Sequence, residues 1–119
     1  MIQHLNKVEL IGHVGQVSRK TIEGKTCAQI ALATNYCYKA KDGSAIIETT
    51  WHKVVAFESK DNRDLDKVEK GDALHVVGRL RVVKYIDQNG NNKNVTEVLA
   101  SKTEVIKDEG NQPENTDKV

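Results

Sequence analysis

The sequence predicts an all-β protein of five strands, with one short helix between the third and fourth strands. Segments rich in Val, Ile, Thr and aromatic residues alternate apolar and polar positions, which is typical of half-buried strands. Turns that contain glycine or asparagine separate these segments. The chain has 119 residues, of which 38% are hydrophobic. That size suits a single domain whose core needs no disulfide.

The first two predicted strands form a hairpin. The first covers residues 5–15, and its glycines predict strong curvature because glycine cannot pack within a sheet. A turn at residues 22–25 leads into the second strand, residues 26–38. The residues that share a face are Val8, Leu10, Gly12 and Val14 in the first strand, and Ala28, Ile30, Leu32, Tyr36 and Tyr38 in the second.

The third strand, residues 48–57, carries the most informative pattern. One side holds Trp51, Lys53, Val55 and Phe57, and the other holds Thr50, His52, Val54 and Ala56. Two aromatic rings with a lysine between them suit a flat, negatively charged polymer, because bases stack on rings and phosphates meet the ammonium group. The alternative is a core strand that buries both rings, and periodicity alone favours that alternative.

The second half of the chain predicts a helical turn and a hairpin. Residues 58–70 have few apolar positions, chiefly Leu65 and Val68, which permit one short helix that Gly71 ends. The fourth and fifth strands cover residues 73–85 and 95–106, joined by an Asn-Gly turn. One face of the fourth strand holds Leu74, Val76, Gly78, Leu80 and Val82. This order of elements describes the OB-fold, a small Greek-key barrel that often binds oligonucleotides.

Charge is distributed unevenly along the chain. The net charge of the whole chain is +1, but residues 104–119 carry −3 and residues 58–72 carry −2, which leaves +6 on the strand-forming remainder. Such an asymmetry favours an anionic polymer as partner. Residues 107–119 are polar and without periodicity, so we expect a disordered acidic tail after a domain of residues 1–106.

Several other classes of protein are disfavoured. No apolar run approaches the length of a membrane span, and the N-terminus lacks the pattern of a secretion signal. With only Cys27 and Cys37, a reduced cytoplasmic protein is expected. The four histidines have no metal-ligand spacing and no nucleophile motif is present, so we expect no metal, no cofactor and no catalytic residue.

Five short motifs, taken together, resemble the bacterial single-stranded DNA-binding proteins (SSB). They are residues 6–12 (Asn-Lys-Val-Glu-Leu-Ile-Gly), 32–34 (Leu-Ala-Thr), 50–55 (Thr-Trp-His-Lys-Val-Val), 78–81 (Gly-Arg-Leu-Arg) and the turn 87–90 followed by 95–98. The resemblance covers about residues 5–106 in the family's order. It implies an OB-fold that assembles as a homo-oligomer, usually a tetramer and otherwise a dimer, and binds single-stranded DNA during replication, recombination and repair.

The resemblance also implies roles for particular residues. The base-stacking positions fall on Tyr38, Trp51, Phe57 and Tyr85. The phosphate-binding positions fall on Lys53, Arg81 and Lys84, and further candidates, which are otherwise solvated cations, are Lys7, Lys39, Lys41 and Arg79. The subunit interface would include His52, Lys7 and Glu9. Tyr36 is expected to be scaffold.

Some features depart from the family. Members commonly end in an apolar Pro-Phe tip that recruits other enzymes, whereas this sequence ends in Asp117-Lys118-Val119, so recruitment through a tip is doubtful. The function alternatives are a primosome-type or RNA-binding OB-fold module and, less favoured, a small metal-dependent nuclease.

Overall fold

The computed structural model describes residues 1–107, in which five strands close into a barrel. The predicted fold class is confirmed, whereas the predicted tail lies outside the described residues beyond Lys107. The strands follow one another around the barrel in the order β1-β2-β3-β5-β4, and only β3 and β5 pair in parallel. Their bounds are β1 (Val8–Ile22), β2 (Lys25–Lys39), β3 (Ala45–Phe57), β4 (Ala73–Ile86) and β5 (Asn92–Ile106).

Tight turns fix the register of the β1–β2 and β4–β5 hairpins. Between β1 and β2, Glu23 and Gly24 both have positive φ angles, 51° and 80°, as a two-residue type I′ turn requires. Between β4 and β5, the Asp87 carboxylate accepts hydrogen bonds from the backbone N–H groups of Asn89 and Asn91, both at 2.9 Å. The Asn-Gly turn predicted from the sequence is therefore closed by an aspartate side chain.

The predicted helix is a single 3-10 turn, Leu65–Lys67. The surrounding segment is too polar to bury the face of a longer helix. Its buried apolar residues are Leu65 and Val68, at 1% and 2% exposure, and Asn62 is also buried, at 2%. Arg19 of β1 holds this segment in place. Its Nε donates to the Leu65 carbonyl at 2.9 Å, and its guanidinium also donates to the Val68 carbonyl.

The core fills the inside of the barrel with small and branched side chains. Its buried members include Val14, Ala28, Ile30, Leu32, Val54, Ala56, Leu74, Val76 and Val98. Within residues 1–107, no helix has the length and apolar character needed to cross a membrane. Both cysteines are free; Cys27 is buried and Cys37 is exposed.

The predicted bounds of the first strand were wrong, and the predicted phase of the fourth strand does not lead to burial throughout. The first strand begins at Val8 and continues to Ile22, and a register shift between Val14 and Gln16 explains why its alternation could not be followed past Gly15. Leu80 and Val82 share the phase of buried Leu74 and Val76, but they are 46% and 59% exposed. Both lie past Gly78, the last residue of β4 that pairs with β1, so no strand covers them on that side, although Leu80 still pairs with the core residue Val98.

Candidate nucleic-acid interface

Trp51 and Phe57 lie on the outer face of the barrel, which we define as the side of the sheet turned away from the core. Trp51 is 61% exposed and Phe57 is 43% exposed. The alternative in which β3 buries both rings is therefore wrong. Val55, on the same face, is only 4% exposed, because it is a short side chain at the centre of the sheet between longer neighbours.

Cross-strand pairing arranges the outer face in rows, because paired residues point to the same side of a sheet. The row through Trp51 contains Ala33 of β2, and the next row contains Gln16, Ala31 and Lys53. The following two rows contain Ser18, Gln29 and Val55, and then Lys20, Cys27 and Phe57. Ala31 and Ala33 have short side chains, so the outer face is flat beside Trp51.

Gly15 provides the seat for the Trp51 indole. A Cβ atom on Gly15 would overlap the six-membered part of the indole, so the ring packs directly against the backbone of β1. The ring reaches this position across β2, over the low surface that Ala31 and Ala33 form. One surface of the indole is thus supported while the side chain stays largely open to solvent.

A buried carboxylate organises two of the predicted phosphate-binding cations. Glu97 of β5 is 4% exposed and accepts from Nε of Arg81 at 2.8 Å. The Arg81 Nη2 atom lies 2.7 Å from Oε2 of Glu97, and the Lys53 Nζ atom lies 3.5 Å from Oε1. The two cations therefore share one negative charge, which fixes the guanidinium and leaves the group of three with a net charge of +1.

The remaining predicted stacking residues lie on the two hairpins beyond the barrel. Tyr85 is 48% exposed and shares the phase of Arg81 along β4. Tyr38 is 42% exposed and lies in the opposite phase from Trp51 across the β2–β3 hairpin. Tyr36, expected to be scaffold, is 66% exposed, with its ring centroid 5.9 Å from that of Tyr38.

The other predicted cations are spread around this surface. Arg79 joins the row of Val55 through Leu99, so it lies on the outer face. Lys84 is exposed but in the opposite phase from Arg81 and Tyr85. Lys39 is the last residue of β2, Lys41 lies in the β2–β3 loop and Lys7 precedes β1; all three are exposed.

Two of the three predicted interface residues, His52 and Glu9, have side-chain partners within residues 1–107. His52 is half-buried, and its Nε2 lies 2.9 Å from the hydroxyl of Thr34. The Glu9 carboxylate lies 2.7 Å from Nε2 of His75. That hydrogen bond, then the charge on His75, and to a smaller degree the charge on Lys7, lower the pKa of Glu9 from its usual value of 4.5.

Sequence reasoning missed three residues of this surface. The sequence predicts only curvature at Gly15, and it does not single out Glu97 because the burial of Glu97 depends on neighbouring strands. Lys20 lies in the row of Phe57, and counting back from the Glu23-Gly24 turn would have found it. Among residues 1–107, no cluster of His, Cys, Asp or Glu could hold a metal ion.

A closed barrel of five strands in the order β1-β2-β3-β5-β4 places the protein in the class of OB-fold proteins. The model of the single-strand binding protein family matches residues 5–106, and the chain belongs to this family. A single-stranded DNA-binding protein of Xanthomonas axonopodis pv. citri is 32% identical over 108 residues, which are 89% of this chain and 60% of that protein. One from Bacteroides thetaiotaomicron is 37% identical over 111 residues, 89% of this chain and 68% of that protein.

Solved structures agree with this assignment. The chain superposes on a Plasmodium falciparum SSB in complex with ssDNA with a TM-score of 0.75 and 29% identity, covering 89% of this chain and 97% of that one. A Thermus aquaticus single-stranded DNA-binding protein, 22% identical, shares the fold with a TM-score of 0.73, over 89% of this chain and 52% of that one. The chain spans 60% and 66% of the Xanthomonas axonopodis and Xylella fastidiosa relatives.

Proposed function

We propose that the protein binds single-stranded DNA largely without sequence preference and protects it during replication, recombination and repair, without catalysing a reaction. The observation that carries this proposal is the Trp51 indole, which is 61% exposed and supported from beneath at Gly15. A ring presented in this way is a platform on which a base stacks. Each base–aromatic stack contributes about 1–3 kcal/mol, whichever base is present.

The cations around the platform supply the second part of the proposed mechanism. Lys53 and Arg81 would meet phosphates beside the stacked base, with Glu97 holding the guanidinium in position. Arg79, Lys84, Lys7, Lys39 and Lys41 would extend this field along the strand. Neutralising phosphates releases counterions, so we expect affinity to fall steeply with salt.

The selectivity for unpaired strands follows from stacking. A duplex hides the faces of its bases, so Trp51, Phe57, Tyr38 and Tyr85 would have nothing to stack on. Binding only the unpaired form stabilises that form by mass action, and no chemical step is required.

We further propose that the chain assembles as a homo-oligomer, a tetramer or a dimer, with His52, Lys7 and Glu9 at its contacts. The β4–β5 hairpin supports assembly because it leaves Leu80, Val82 and Ile86 exposed at 46%, 59% and 69%. Residues 1–106 would form the binding domain and the following residues an acidic tail. A cytoplasmic location at the nucleoid would suit this function.

The test is the affinity of Trp51→Ala for fluorescently labelled poly-dT, measured by anisotropy. We expect a loss of about 5- to 150-fold, the equivalent of one stacked base, with the thermal unfolding transition retained. Ile106→Ala is the matched control, because it removes an exposed apolar side chain at the end of β5. Unchanged affinity of Trp51→Ala, or equal competition by duplex DNA, would contradict the proposal, and stronger competition by poly-U would indicate an RNA-binding module.

A further inference from the structure

A shallow groove of about 350 Å³ lies on the outer face beside Trp51, between β1 and β3. Ala31 of β2 forms its floor, since this small residue pairs with Gln16 on one side and Lys53 on the other. Gln29 and its cross-strand neighbour Ser18 close the end away from Trp51. The groove is of the size that holds one small planar group and not a length of polymer.

The walls of the groove are polar but almost uncharged. Gln16, Ser18 and Gln29 each carry a neutral group that both donates and accepts hydrogen bonds. Within residues 1–107, these three side chains form no hydrogen bond with another residue, so their donors and acceptors are available to a ligand. Lys53 is the one lysine that lines the groove, and its Nζ atom already lies 3.5 Å from the carboxylate of Glu97. This chemistry fits a neutral group with a mixed donor and acceptor edge better than it fits a phosphate.

We propose that this groove receives the edge of one nucleobase and reads it through Gln29, with Gln16 and Ser18 as additional partners. The inference rests on the proposed binding of single-stranded DNA and adds a base-selective position to it. Carboxamide side chains recognise base edges because their donor and acceptor can match those of a particular base. Phosphate contacts carry no such information, and stacking on Trp51 tolerates every base.

The experiment compares homo-oligomers of thymidine, cytidine and adenosine, each about 15 nucleotides long, the length that one OB-fold can cover. Anisotropy titrations at one salt concentration give the ratio between the tightest and the weakest of the three affinities. We expect Gln29→Ala to reduce this ratio by about 3- to 10-fold, the effect of losing hydrogen bonds to one base. Gln16→Ala should change the ratio in the same direction, and Gln88→Ala, in the β4–β5 turn, should leave it unchanged.

The outcomes separate this inference from the function on which it rests. Wild-type protein that binds none of the three oligonucleotides would overturn the proposed function. Wild-type protein that binds all three with equal affinity would overturn the groove proposal alone. The groove proposal would also be overturned if Gln29→Ala left the ratio of affinities unchanged, even if it weakened binding of all three oligonucleotides by one common factor. The preference would then come from stacking.

Discussion

At the scale of single residues, the position of Trp51 depends on a residue of another strand. The register shift in β1 places Gly15 beneath the indole. Any side chain there would occupy the space of the ring. The ring is the movable partner, since it lies at the surface, and the backbone of β1 is held by its pairing with β2.

We therefore expect Gly15→Ala to lift the indole from its seat while the barrel stays folded. Affinity for poly-dT should weaken by about 1 kcal/mol, part of the value of one base stack. Because Trp51 is the only tryptophan, its emission spectrum reports the displacement directly. In a Trp51→Ala background the same substitution should have no further effect on binding. An independent loss there would show that Gly15 acts through the backbone and not through the ring.

The pair of Glu9 and His75 predicts a dependence of stability on pH. The hydrogen bond from His75 lowers the pKa of Glu9 below its usual value of 4.5, and Glu104 lies 4.0 Å from the other ring nitrogen. A depressed pKa in the folded state means that the ionised carboxylate stabilises the fold above pH 4.5. This contribution is lost as the pH falls below 4.5 and through the folded-state pKa.

The corresponding variant is Glu9→Gln. Its melting temperature should fall less steeply than that of the wild type as the pH is lowered through this range, because the titrating group is absent. Glu48→Gln, an exposed glutamate of β3, is the matched control. Parallel profiles of melting temperature against pH for the wild type and Glu9→Gln would refute a stabilising contribution from ionised Glu9.

At the scale of elements, the sequence predicted strand identity, phase and turns well because each depends on neighbouring residues. Alternation placed Trp51, Lys53 and Phe57 on one side of β3, and the structure has them on its outer face. Alternation does not say which side faces the core at each point. Leu80 and Val82 have the predicted phase, but they lie past Gly78, where the pairing of β4 with β1 ends. The burial of Glu97 could not be predicted either, since residues distant in sequence surround it.

The segment between β3 and β4 is held by hydrogen bonds, because its single 3-10 turn is too short to stabilise itself. Arg19 donates to the carbonyls of Leu65 and Val68. Arg19→Ala should lower the free energy of unfolding by about 1.5–3 kcal/mol, the range for hydrogen bonds from a charged group. Urea titration measures this loss, and Lys20→Ala, the exposed neighbour, should change stability by much less. An equal loss of stability in both variants would show that the hydrogen bonds from Arg19 make no specific contribution.

At the scale of the whole molecule, the central cations of the proposed binding surface and the exposed apolar row of β4 lie on different sides of the sheet. Lys53, Arg81 and Glu97 share the outer face. The exposed apolar row of Leu80, Val82 and Ile86 has the opposite phase along β4. A substitution in this row can therefore disrupt assembly while Trp51, Lys53 and Arg81 stay in place, and Lys84 is the one proposed DNA contact that shares the phase of the row.

Val82→Asp tests that separation. In a homo-oligomer each copy would bury a new carboxylate against an apolar partner, so we expect dissociation, whereas the monomer tolerates the change because Val82 is 59% exposed. Light scattering should show the mass of a single chain. Affinity for an oligothymidylate that one barrel can cover should stay nearly constant, while affinity for a long strand should fall, because linked barrels bind a long strand with a high effective concentration. Ile22→Asp, at the exposed end of β1, should retain the wild-type mass, and a wild-type protein that is itself monomeric would refute the proposed assembly.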